Sequence, residues 1–319
     1  MRLHPLARYA LGRLGEVVGV MLAVSFLVYL VLEHNAADVA VKVLGGYSAQ
    51  EQRALWLHEN GYDAPFLLRY VTWLGHFLRG QWGSSTHYRE EVAVLLPPYL
   101  AQTGILAGLT FALMVPLSFA LGIAAGVREG SLVDRVISFL CVFTTSIPEF
   151  ASAVFLSAVF VFWLGVLPGA STMTSGFDWR EIVLPVLVLL LYDFGYVARI
   201  VRASMAEVMT QPYVRTALMK GASPARIIFH HALRNALVAP ITVIMLQIPW
   251  LLSGVIVVEV FFAYKGFGTV LYQACLNSDV ALIEACAMIS VVVIVGTQLV
   301  CDILYAVLNP RVQLTARGT

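Results

Sequence analysis

The sequence predicts an all-α, polytopic membrane protein that crosses the bilayer six times, with both termini in the cytoplasm. Three observations lead there. Of 319 residues, 60% are hydrophobic and only 12% are charged, about half the charged share of an ordinary soluble domain, so the chain cannot clothe itself in polar surface. The apolar residues gather in six stretches, each near or above the roughly 20 residues that cross a hydrocarbon core as a helix. Lys and Arg are shared unevenly among the connections between those stretches, as expected when short cytoplasmic loops hold the excess.

The first stretch, 9–32, follows a basic start containing Arg2, Arg8 and Arg13. It has the outline of a secretory signal, with Ala36 and Ala37 as the alternative cleavage point, but the apolar run at 17–32 exceeds a usual signal core and reads as a retained span. Residues 33–99 form a long extracytoplasmic segment. Its polar stretch at 47–62, the turn-like RGQWGSST at 79–86 and Trp56, Trp73 and Trp82 suit a small packed cap or an interfacial aromatic belt. The remaining spans are 100–127, 136–166, 182–201, 236–262 and 282–308. Gly and Pro recur within them, which membrane helices tolerate where neighbours satisfy the freed backbone. The chain thus divides into a first span with its outer segment (1–99), a membrane core (100–310) and a short cytoplasmic tail (311–319).

Thirteen of the twenty Lys and Arg fall in the N-terminus, 128–135, 199–234 and the stretch after Pro310, whereas the two short opposite loops hold one each, Arg180 and Lys265. That asymmetry sets the orientation. The five basic residues of 33–99 lie in a segment too long to obey the rule. Cys141, Cys275, Cys286 and Cys301 show no CxxC spacing, and the adjacent His230 and His231 project about 100° apart on a helix. Neither a metal site nor a nucleic-acid partner is expected.

The connection at 199–234 is far longer than joining two helices requires. It reads as helix, break, helix, break, helix. Gln211 and Pro212 interrupt the first, Lys220 and Gly221 close the second, and Ser223 with Pro224 restarts a third as N-cap and first-turn residues. On that last helix Arg226, His230 and Arg234 recur every fourth residue, opposite Ile228 and Ala232. From charge alone such a stripe reads first as a basic helix on anionic lipid, a use that does not exclude docking a protein.

The segment YVRTALMKG at 213–221, followed by Ala222, Ser223 and HALRNAL at 231–237, resembles the EAA loop of binding-protein-dependent ABC importer permeases. Arg215, Thr216 and Ala217 stand where the general pattern has Glu-Ala-Ala, followed by Gly221. This variant is similar to that of the oligopeptide, dipeptide and nickel branch. The similarity to that branch extends along the chain: GQWGS at 80–84, REGSLVDR at 128–135, SIPEF at 146–150, ARIVRASMAEV at 198–208, VVEVFFAYKGFG at 257–268 and DILYAVLNPR at 302–311. It looks like a B-type permease.

The resemblance implies a type I ABC importer permease fold for the 100–310 core. Tyr213, Arg215, Thr216, Ala217, Lys220, Gly221, Ala222, Ser223, Arg226, His230 and Arg234 would form the loop that couples to an ATPase. It also implies a second permease, of C-type in a heterodimer, two ATP-binding-cassette domains that bind ATP and Mg, and an extracytoplasmic solute-binding protein, all in the cell's inner membrane system. No cofactor is expected in this chain, which holds no GxxxxGK[ST] phosphate loop. Di- or oligopeptides are the expected cargo, with nickel or other small solutes as the alternative.

Glu149 and Asp193 fall inside predicted spans, where an ionisable group is costly unless paired or wet. They either line the translocation path and favour a cationic group, or form a structural hydrogen bond or ion pair. Glu259 and Asp302 read as structural, and Arg199 and Arg202 as residues that reach headgroups or brace the loop. A membrane enzyme using Glu149 or Asp193 would lack a nucleophile, metal or cofactor motif. An ion-driven secondary transporter would suit midplane carboxylates, but no repeated half is evident.

Overall fold

The computed structural model describes residues 5–34, 36–173 and 176–308, without the side chains of 5–11, 13, 36, 252–254 and 302–308. The expectations for Arg2, Arg8, Arg13, Asp302 and the 311–319 tail therefore lie outside the described residues. Helices account for every extended element among those described. In order they are α1 (Pro5–Glu33), α2 (Ala36–Leu44), α3 (Gln50–Glu59), α4 (Phe66–Leu78), α5 (Val92–Val127), α6 (Leu132–Ser146), α7 (Glu149–Ser157), α8 (Trp179–Met209), α9 (Pro212–Met219), α10 (Pro224–Arg226), α11 (Leu233–Ala236), α12 (Val238–Gly254), α13 (Ile256–Phe261), α14 (Phe267–Leu276) and α15 (Val280–Leu308). Single π-helical turns extend α7 through Ala158–Trp163 and join α10 to α11 through Ile227–Ala232.

Four helices are long and apolar enough to cross a membrane, represented by Leu14–Glu33, Val92–Val127, Trp179–Met209 and Val280–Cys301. Two bent pairs bring the number to six, Leu132–Ser146 with Glu149–Trp163 and Pro224–Ala236 with Val238–Leu251. The six expected stretches are thus all apolar helix, but two differ in form. The run at 136–166 is broken by a bend of 100°, because Pro148 excludes its predecessor from the helical region and Ile147 accordingly sits at φ −90°, ψ 124°. The 236–262 stretch is preceded by a helical segment, Pro224–Ala236, bent 55° from α12 at Leu237, so helix continues into what the sequence places wholly in the loop.

The chain forms two compact units, Met1–Thr103 with Lys265–Leu299, and Gly104–Tyr264 with Val300–Thr319. In the first, α1 and α4 share an aromatic cluster. Tyr29 lies 5.1 Å from Trp73 and 5.4 Å from Phe66 between ring centroids, and Phe26 meets Tyr70 edge-on at 5.2 Å. This is the packed cap expected of the outer tryptophans. Asp279, fully buried, caps α15 by accepting from Leu282 N–H at 3.3 Å and draws in the 84–91 turn by accepting from Ser85 Oγ at 2.5 Å and His87 N–H at 3.2 Å. A core of Val92, Leu96, Val270, Leu282 and Cys286 closes this unit.

In the second unit α5 turns one apolar stripe outward and another stripe inward. Ile105, Leu109, Leu113 and Leu117 are exposed at every fourth position, while Leu106, Thr110, Met114 and Ser118 are buried on the stripe about 100° round the helix. The outward apolar stripe suits lipid rather than water. The inward stripe carries small polar groups satisfied internally: Ser118 Oγ donates to Phe194 C=O at 3.1 Å, and Thr110 Oγ1 to Leu106 C=O at 2.9 Å. Helix α8 is the axis of this unit, and glycines set its spacing to its neighbours. A Cβ on Gly122 would meet Ala198 O at 2.7 Å, one on Gly126 would meet Arg202 O at 2.6 Å, and one on Gly195 would meet Cys141 O at 2.6 Å. These are small-residue contacts of the kind that let membrane helices approach closely.

Candidate functional site: a connecting loop and a buried carboxylate on one helix

The segmentation expected of 199–234 is present. Helix α8 ends at Met209, and α9 begins with Pro212 at its first position, where the missing N–H costs nothing. At the end of α9, Gly221 N–H donates to Leu218 C=O at 3.0 Å and Ala222 N–H to Ala217 C=O at 3.2 Å. This is the paired closure of a Schellman motif, which needs a left-handed residue; Gly221 supplies it at φ +76°. Ser223 Oγ then accepts from Arg226 N–H at 3.4 Å and Pro224 starts the next helix. Asn235 Nδ2 donates to Tyr213 Oη at 2.8 Å, tying α9 to α11.

Tyr213, Arg215, Thr216, Lys220, Gly221, Ser223, Arg226, His230 and Arg234 are exposed, and Ala217 and Ala222 are half-buried. Val214 alone of α9 is fully inside. The stripe of Arg226, His230 and Arg234 does face outward, but its buried counterpart differs from the expectation: Ile227, Ala232 and Ala236 are buried, and Ile228 only partly. The π turn explains the change, since its wider winding places Ile227 and Ala232, five apart, on one face. Leu218 and Met219, 58% and 76% exposed, were not singled out from sequence. Two large apolar side chains just before a turn glycine were the available signal.

Asp193 lies within α8, fully buried, with Oδ1 accepting from Gln247 Nε2 of α12 at 3.1 Å and Oδ2 without a hydrogen-bond partner. Glu149 is not mid-helix, as the single-span reading of 136–166 implied, but the first residue of α7 directly after the Pro148 break. It is half-buried and close enough to act on Asp193 electrostatically. The two carboxylates thus stand on neighbouring helices, α7 packing on α8. Stacking of Tyr192 on Trp250, with centroids 5.1 Å apart, fixes α8 against α12 beside them.

Asp193, midway along α8, precedes Met209 by sixteen residues, about 24 Å along an α-helix, so one continuous helix connects the carboxylate to the start of the loop. Between them Arg202 clamps α8 to α6. Its Nε and Nη2 donate to Asp134 Oδ1 and Oδ2 at 3.0 and 2.8 Å, and Glu129 lies 3.5 Å away. Asp134 also accepts from Gly130 N–H and Ser138 Oγ, and its own N–H is capped by Ser131 Oγ. Arg202 thus braces α8 against α6 rather than against the 212–234 loop; Arg199 is exposed. Glu259 is fully buried in α13.

Residues 118–314 match the family described as "Binding-protein-dependent transport system inner membrane component". The chain belongs to this family. The permease is 31% identical over 309 residues to the probable peptide ABC transporter permease protein y4tP of Sinorhizobium fredii, covering 96% of this chain and 99% of that one. It is 29% identical to the oligopeptide transport system permease protein AppB of Bacillus subtilis, over 97% and 100% of the two chains. With the glutathione transport system permease protein GsiC of Salmonella typhi it shares 32% identity over 96% and 98%. These relatives bear out the resemblance to the oligopeptide branch. The permease is accordingly a multi-pass inner-membrane subunit of the ABC transporter type, with the type I permease fold.

Proposed function

We propose that this permease forms half of the path of an importer for di- or oligopeptides and couples to ATP hydrolysis through the 212–234 loop. The observation that carries this reading is the build of the loop: a short exposed helix ending in Leu218 and Met219, closed by Gly221 and returned to α12 by a second helix. Exposed apolar side chains on a protruding loop are the anchors a groove on another protein would take. Two ATPase domains binding ATP and Mg, a second permease of C-type and an extracytoplasmic solute-binding protein complete the assembly. Both termini and the loop face the cytoplasm. The peptide cargo is supported by the names of the relatives. Substituting Gly221 by Val tests the coupling, because a β-branched residue at φ +76° is strained by roughly 1–2 kcal/mol while nothing within 4 Å would clash with it. The expected result is an assembled complex with reduced ATPase association or with hydrolysis uncoupled from uptake; unchanged transport would reject the loop's role.

Glu149 and Asp193 line the translocation path in this reading and favour the amino terminus of the cargo. The unpartnered Asp193 Oδ2 and a second carboxylate, Glu149, on the helix packed against α8 support it, since unpaired carboxylates attract a cation. Glu149→Gln and Asp193→Asn should each lower uptake of a cationic peptide more than that of its N-acetylated form. Equal uptake of both forms in both variants would leave only the structural role.

A further inference from the structure

The first compact unit holds a cavity of about 580 Å³, lined by residues of α1 to α4, the 79–91 turn and the start of α15. That is the size of a small-molecule site. Its walls are aromatic, with Tyr29, Trp56, Tyr62, Trp73 and Trp82 among them, and its charged groups are Glu33, Arg69 and Glu284. The charges do not balance. Glu33 Oε2 stands 3.8 Å from Arg69 Nη1, a pair whose side chains are 9% and 11% exposed, and the Arg69 guanidinium is held over the Tyr62 ring at 4.5 Å. Glu284 has no cation within ion-pair distance among the described residues, although it is 6% exposed. Trp73 hydrogen-bonds the Glu284 carboxyl group, but Glu284 Oε1 is buried with no hydrogen-bond partner, as are Glu33 Oε2 and, on the donor side, Arg69 Nε and Nη1.

A buried carboxylate left without a counter-ion is strongly unfavourable, and a buried acceptor without a donor calls for an explanation. Lys42 acts on Glu33 but is exposed and does not line the cavity. What the walls and the leftover charge have in common is attraction for an organic cation: aromatic faces stabilise ammonium groups, and an ammonium supplies the donors that Glu284 Oε1 lacks. We propose that this cavity binds the primary ammonium group of a small apolar amine, with Glu284 as its counter-ion and the tryptophans around its body. The site belongs to the first unit, whereas Glu149 and Asp193 lie in the other. Its ammonium comes either from a soluble amine, a peptide amino terminus included, or from an aminophospholipid headgroup.

The test uses the permease assembled with its partner subunits in nanodiscs of phosphatidylcholine and phosphatidylglycerol, which carry no primary amine. Phenethylamine is titrated while tryptophan fluorescence is followed, with N-acetylphenethylamine as the uncharged control. Saturable binding of the amine, weakened at least tenfold by acetylation and at least tenfold by Glu284→Gln, is expected. Thr72→Trp, at an exposed lining position, narrows the cavity without touching its charges and should weaken binding similarly, which guards against a folding defect in the Glu284 variant. Adding phosphatidylethanolamine separates the sources: competition assigns the headgroup, and its absence assigns the soluble amine. Equal binding of amine and acetyl-amine, unchanged affinity in both variants, or no saturable signal would overturn the proposal.

Discussion

The clamp between Arg202 and Asp134 makes the sharpest stability prediction. Asp134→Asn removes the charge and replaces one acceptor oxygen by a donor that faces the guanidinium. Breaking a buried ion pair costs about 3–5 kcal/mol, but Arg202 retains 30% side-chain exposure and Glu129 at 3.5 Å, so water and the second carboxylate recover part. A loss of about 2–3 kcal/mol is expected, most of it from the paired hydrogen bonds to charge. Arg202→Lys keeps the charge but loses the planar fork that meets both oxygens, and should cost about half as much. In a double-mutant cycle with Arg202→Met, read by thermal unfolding in detergent, the two residues should show a coupling of at least 1 kcal/mol. A coupling below about 0.3 kcal/mol would refute the clamp. Ser138→Ala, which removes one hydrogen bond to the same carboxylate, should shift stability by no more than about 1 kcal/mol.

Two further substitutions probe each unit separately. Gly126→Ala places a methyl 2.6 Å from Arg202 O, a backbone atom that cannot rotate away, and should cost about 1–3 kcal/mol by overpacking; Gly104→Ala, with nothing within 4 Å, is its near-neutral control in the same melting assay. Asp279→Asn turns an amide toward the Ser85 hydroxyl and His87 N–H and should accelerate amide hydrogen exchange over residues 84–91 at least tenfold, while exchange in α8 stays unchanged.

Much of this architecture is legible in the chain because its physics is local. Pro212, Gly221 and the Ser223–Pro224 pair each act within one turn, so the divisions of the loop fall where those residues stand. The six apolar stretches follow from length and composition in the same way. What escaped is non-local or depends on winding. Pro148 sits inside an otherwise uninterrupted apolar run, and membrane helices often absorb a proline, so sequence alone does not tell a kink from a 100° break. The π turn at Ile227–Ala232 leaves no compositional trace, yet it moves the buried position from Ile228 to Ile227. Asp134 and Arg202 are 68 residues apart, and nothing in REGSLVDR names its partner. Glu33, Arg69 and Glu284 meet from three distant segments, and their cavity has no signature along the chain.

The central claim, that this permease works as part of an ATP-driven peptide importer, is tested most directly by reconstitution. The permease, its partner permease, the ATPase subunits and the solute-binding protein are placed in proteoliposomes, and uptake of a radiolabelled dipeptide and of a radiolabelled tripeptide is measured with and without internal ATP. Uptake that requires both ATP and the binding protein, and that falls when Gly221 is replaced by Val, is the predicted result. Uptake that persists without ATP and follows an imposed ion gradient would contradict it.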